Sequence, residues 1–204
     1  VFGLSRYGRG GLKMTNSLNI EMNSWVIQDW HYEDFAVGQK RSFALEFFPA
    51  EIQKATVQNK TMECIYESRY KVNAEIIFGN EKVWILDFGI CAFKADPLPR
   101  EFKVGDFVSA ELFLSIDPHF YFKSLSKIKG IPAIIYDWEV KAIKIETAPL
   151  IEQENEVGRL FLTRDETKME LKEIEETDAR QDDDGHGDYI LVCEKINSEA
   201  RHIL

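Results

Sequence analysis

Phe107-Val108-Ser109-Ala110-Glu111-Leu112-Phe113-Leu114-Ser115-Ile116 decides the fold class of this 204-residue chain. In an extended backbone Val108, Ala110, Leu112, Leu114 and Ile116 fall on one face, and Ser109, Glu111 and Ser115 on the other. That period of two marks a half-buried strand. The same alternation, in runs rich in aromatic and β-branched residues, recurs from Trp25 onward. Residues 69–78 and 82–94 read as a long antiparallel hairpin, with Gly79-Asn80 supplying the turn. Its return strand, Val83 to Cys91, is apolar on both faces apart from Asp87, as expected of a strand covered on both sides. Further on, Ile134, Tyr136, Trp138 and Val140 alternate, and Ile143 and Ile145 continue with the opposite parity. One extra residue near Lys141-Ala142, a β-bulge, accounts for the phase change.

Helical signal is sparse. Pro49 to Val57 has proline followed by an acidic residue, which predicts a short helix. Residues 165–176 fit a strand and a short helix equally. The expected class is therefore mainly β: an antiparallel β-barrel or barrel-like sandwich with at most one or two short helices. Residues 24–149 form its body. Residues 1–23 read as a leader, because Val1 to Lys13 has Gly3, Gly8, Gly10 and Gly11 among Arg6, Arg9 and Lys13 and lacks the apolar core of a secretory signal. Met14 and Met22 are candidate natural starts. Residues 150–204 form an acidic C-terminal appendage, whose strand 189–193 packs back on the body or pairs with 158–163.

A short phrase occurs twice. Asp34-Phe35-Ala36-Val37-Gly38 leads to Ser42 and Leu45, and Glu101-Phe102-Lys103-Val104-Gly105 leads to Ser109 and Leu112, 67 residues later at every position. Each reads as a tight turn into a strand, with glycine supplying the permissive backbone. Duplication of a β unit and convergence on one turn chemistry both explain it. Tyr32 to Gln39 also resembles the opening of MaoC-type hot-dog hydratases over eight residues. That family's long central helix and His/Asp catalytic pair have no counterpart here, so the likeness transfers no site.

The net charge of −10 is unevenly spread: residues 151–204 hold 7 basic and 16 acidic side chains, and residues 1–150 are nearly balanced with 18 and 19. A polyanion would be repelled by the last quarter, which counts against nucleic acid; a basic partner would be attracted. No stretch reaches the roughly 18 continuous apolar residues of a membrane helix. Cys64, Cys91 and Cys193 stand far apart in apolar runs, which argues against a disulfide framework or structural zinc and points to a reducing, cytoplasmic setting.

Few residues suggest chemistry. Asp87 stands alone among apolar neighbours, where a charge must be paired or line a pocket, with Trp84 and Trp138 as candidate walls. His119 to Gly130 mixes aromatics with lysines, and Tyr121, Lys123 and Lys127 could stack bases and hold phosphates. Asp182-Asp183-Asp184-Gly185-His186-Gly187-Asp188 offers Asp182, Asp184, His186 and Asp188 as oxygen and imidazole ligands, but position twelve of an EF-hand counted from Asp182 is Cys193. No metal or other cofactor is expected. No nucleophile motif, phosphate-cradling glycine loop or catalytic carboxylate pair is legible. The favoured reading is a non-enzymatic β-barrel protein-interaction module, such as an inhibitor or immunity-type protein, that binds a basic partner. The alternatives are an oligonucleotide-binding barrel using 119–130, and a small-molecule-binding or hydrolytic barrel with its pocket near Asp87.

Overall fold

The alternating stretch 107–116 is the strand from which the sheet is organised. A computed structural model describes residues 17–154, 158–196 and 199–203. In chain order the elements are β1 (Ser17–Asn23), α1 (Trp25–Gln28), β2 (Lys40–Phe43), β3 (Leu45–Lys54), β4 (Thr61–Tyr66), β5 (Arg69–Gly79), β6 (Trp84–Asp87), β7 (Cys91–Lys94) and β8 (Phe107–Ile116). There follow α2 (Phe120–Lys123), β9 (Tyr136–Thr147), β10 (Leu150–Glu154), β11 (Leu160–Arg164), β12 (Glu170–Ile174) and β13 (Asp188–Lys195).

A closed five-stranded barrel forms around β8. It pairs antiparallel with β3 on one edge and with β5 on the other, β5 continues to β6 and β6 to β7, and β7 returns to β3 in parallel. Closure leaves no free edge within the circuit. The expected inward set of β8 is buried residue for residue, alternating with partly exposed neighbours. Phe47 and Trp84 meet edge to face at 4.7 Å in the core. Each such side chain contributes about 1.5–3 kcal/mol by leaving water.

A second group of strands continues the sheet. β1 joins β8 through one parallel bridge, Glu21 to Ser115. Beyond β1 lie β13 and then β9, and the far edge of β9 is shared by β2 and β12. Residues 17–23, read with the leader from sequence, are thus an internal strand; residues 1–16 lie outside the described residues. The acidic C-terminal segment contributes β12 and β13 to this sheet, so the strand at 189–193 pairs with β1 and β9, while 160–164 pairs with β10 in a separate hairpin. The bulge read at Lys141-Ala142 is present: Val192 faces Ala142 and Cys193 faces Val140, leaving Lys141 as the extra residue.

Two local expectations need correction, and one open alternative is resolved. The helix expected at 49–57 is strand through Lys54; Pro49, which has no N–H to give, sits at a register shift against β8 where the ladder is already interrupted. The return strand 82–94 is two strands, β6 and β7, folded at Phe88-Gly89-Ile90, with Gly89 at φ +106°. Residues 165–176 divide into a single 3-10 turn at 166–168 and the strand β12.

The twice-occurring phrase folds the same way twice. Gln39 N–H donates to Ala36 O at 3.1 Å, and Asp106 N–H to Lys103 O at 3.0 Å. Gly38 and Gly105 take φ of +82° and +91°, as the third position of a type II turn requires. The residue after each glycine accepts back with its side chain: Gln39 Oε1 from Ala36 N–H, Asp106 Oδ2 from Lys103 N–H. Each turn is then clipped to a neighbouring strand by two bonds. Gly38 N–H donates to Val140 O and Val140 N–H to Gln39 O; Gly105 N–H donates to Ile76 O and Ile76 N–H to Asp106 O. Phe35 and Phe102 are both buried at the start of the turn.

Candidate functional site

Where β1 leaves β8, the outer faces of three strands meet. Leu18, Ile20 and Met22 of β1 point into the core, so Glu21 and Asn23 point away from it. By the same alternation Leu45 and Phe47 of β3 are fully buried while Phe48 is 41% exposed, and Ser115 of β8 lies between Glu21 and Glu46. At the usual strand spacing, the outer backbones stand roughly 10 Å apart. The cleft over them has a volume of about 380 Å³, with Trp25 of α1 and Phe120 of α2 among its walls. Trp25 and Phe120 are 42% and 49% exposed.

Both carboxylates are desolvated. Burial pushes the Glu21 carboxyl up from its ordinary value, helped by Asp188; the hydroxyl of Ser68 opposes this. Burial likewise raises Glu46, against the pull of Lys94, whose ammonium lies 3.4 Å away. Among the described residues no basic side chain pairs with Glu21. Ser115 Oγ donates to the backbone oxygen of Glu21 at 3.0 Å and pins the seam.

A second cleft, of about 840 Å³, adjoins the first and shares Asn23 and Trp25 with it. Its other walls include Gln28, Asp183, Asp184, His186 and Asp188. The loop that carries the acids is tied down: Ser24 Oγ and Gln28 Nε2 donate to Gly185 O, Gln28 Nε2 also reaches Ala179 O, and Asn23 Nδ2 donates to Asp188 Oδ1. Asp183 and Asp184 adopt left-handed φ of 51° and 55°.

Trp25 also touches an imidazole pair. His31 packs edge-on to Trp25 at 6.1 Å and to His119 at 5.7 Å, and His119 lies 4.4 Å from the Tyr32 ring. Lys123 Nζ donates to His31 Nδ1 at 3.3 Å. Burial, with His31 and Lys123 nearby, holds His119 below the usual histidine value. Beneath them Asp117, only 2% exposed, accepts from the N–H groups of Phe120 and Tyr121, and burial raises its carboxyl to about 7.

The residues singled out from sequence are dispersed. Asp87 sits at the β6–β7 turn, accepting from Gly89 N–H and pairing with Lys60 at 2.7 Å. Trp84 and Trp138 are core residues, and the indole of Trp138 donates to Phe43 O. None of the three lines either cleft described above. Tyr121 is fully buried with its hydroxyl on Pro132 O, which removes it as a stacking surface; Lys123 and Lys127 are exposed. Asp182 accepts from Asp178 N–H and the Tyr189 hydroxyl, while Asp184, His186 and Asp188 line the larger cleft. Among the described residues no three His, Cys, Asp or Glu side chains converge as a metal site, and no helix is long and apolar enough to cross a membrane.

Glu21, Trp25, Glu46, Phe48 and Ser115 are not singled out as site residues by the sequence, whereas Phe120 lies within the aromatic and lysine stretch 119–130. Glu46 carried a usable signal, a lone carboxylate in Ala44-Leu45-Glu46-Phe47-Phe48, the same kind that drew attention to Asp87. Comparison of the chain with protein-family models, with curated proteins and with solved structures found no match to any of them.

Proposed function

We propose that the protein is a β-barrel interaction module that holds a basic segment of a protein partner on the face around Trp25. The observation that carries this reading is the distribution of charge on either side of that indole. Glu21 and Glu46 lie in one cleft and Asp184 and Asp188 in the other, and among the described residues no lysine or arginine lines either cleft, Lys94 pairing with Glu46 from beside the smaller one. A cationic chain laid across Trp25 would meet carboxylates at both ends and an aromatic wall between them. Inhibitor and immunity-type roles are both forms of such binding. The oligonucleotide reading has less support, because Tyr121 is packed in the core and the clefts on either side of Trp25 present carboxylates, which would repel phosphates.

Fluorescence anisotropy with labelled nona-arginine tests it. Binding is expected at about 20 mM NaCl and should weaken severalfold at about 200 mM. Asp184→Lys should weaken it further, while Glu63→Lys, on the exposed face of β4, should have much less effect. No binding at low salt, or equal loss in the two variants, would refute the proposal.

A further inference from the structure

We infer that the smaller cleft, over Glu21, Ser115 and Glu46, is a pocket for one arginine side chain of the basic partner. This inference rests on the preceding reading and adds to it a specific anchoring residue.

Two carboxylates line the cleft, and one cation, Lys94, stands beside it. Lys94 pairs with Glu46 and lies 4.1 Å over the ring of Phe48. Lys94 is also shared with Asp96 at 3.6 Å, and Glu21, whose side chain accepts from the Ser68 hydroxyl at 3.4 Å, has no cation partner among the described residues. A carboxylate drawn out of water without a cation favours any ligand that brings one. Around this charge stand Trp25, Phe48 and Phe120, each more than two-fifths exposed in the absence of a ligand. Lys94 on Phe48 shows within the molecule how a cation rests on this wall while bonded to a carboxylate.

A guanidinium suits the site better than an ammonium. It is planar, stacks on aromatic faces and is more weakly hydrated, and its five N–H donors can be shared among several acceptors. Glu21 and the lone pairs of Ser115 Oγ supply such acceptors at the floor. A volume of about 380 Å³ takes one long side chain and not a folded segment.

Nona-arginine and nona-lysine carry equal charge, so their affinity ratio isolates the pocket from the acidic face. Wild-type protein is expected to prefer nona-arginine by about tenfold. Glu21→Gln should bring the ratio close to one while nona-lysine affinity falls little. Phe120→Ala removes a wall at an exposed position and should lower the ratio in the same direction, which keeps the test available if the Glu21 substitution perturbs β1. Circular dichroism of each variant checks the fold. Equal affinity of the two peptides for the wild-type protein overturns the pocket and leaves the acidic-face reading intact. Failure of both peptides to bind overturns both.

Discussion

Glu21 and Glu46 face each other across a single residue, Ser115, because β1 and β3 flank the same end of β8 on opposite edges. The relationship is set by the parallel bridge that joins the second group of strands to the barrel. It places two desolvated carboxylates on one surface without any motif in the linear sequence.

Burial makes pH dependence the first prediction. Glu21, Glu46 and Asp117 are all raised in the folded protein, Asp117 to about 7. A carboxyl with a raised folded pKa binds its proton more tightly when folded, so stability falls as pH climbs from the unfolded value toward the folded one. Asp106, Glu139 and Asp165 are shifted the opposite way, mainly by hydrogen bonds from Lys54, Lys141 and Thr167, but such surface contributions are small. Asp117→Asn isolates the largest effect. Urea unfolding should show wild-type stability falling relative to this variant by a few kcal/mol between about pH 4 and pH 7. A difference that stays constant across that range would contradict the assignment.

The repeated turn makes a paired prediction. A Cβ added at Gly38 or Gly105 would meet nothing within 4 Å, so the cost of alanine is confined to the positive φ. Gly38→Ala and Gly105→Ala should each lose about 1 kcal/mol, and by similar amounts. Gly187→Ala differs in kind, since its Cβ would lie 2.8 Å from the Tyr189 hydroxyl and steric conflict would add to the cost. Urea midpoints of the three variants decide this; a negligible effect at either turn glycine would contradict the strain argument.

Arg201 ties the C-terminal end to β9. Its guanidinium donates to both oxygens of Asp137, at 2.8 and 2.5 Å, and to Ser42 Oγ at 2.7 Å. Ser42 Oγ in turn donates to Asp137 Oδ1. A bidentate pair on partly buried groups exceeds a typical surface salt bridge. Arg201→Ala should cost about 1–2 kcal/mol, and Arg201→Lys should recover less than half of it, because one ammonium cannot reproduce the fork. Full rescue by lysine would argue against the geometry.

Strands were legible where burial alternates, as in β8, and where it changes phase, as at Lys141. Those signals depend only on neighbours along the chain. Pro49 misled because proline at a strand bulge and proline at a helix start look alike until the partner strand is known. The repeated phrase marked a real turn, but its equivalence lay in bonds to Val140 and Ile76, which no local pattern specifies. The cleft was least legible, since Glu21, Glu46, Ser115 and Phe120 come from separate stretches and are brought together by the order of β1, β8 and β3. Asp87 shows the limit of the lone-charge signal: Lys60, 27 residues away, pairs with it at the surface.

The most direct test of the basic-partner face follows the tryptophan indole N–H signals by NMR while nona-arginine is added. The protein has four tryptophans: Trp25 and Trp30 exposed, Trp84 and Trp138 buried in the core. The largest shift is expected at Trp25, with Trp84 and Trp138 unmoved. A titration that shifts Trp30 while leaving Trp25 in place, or that shifts neither, would contradict the assignment of this face.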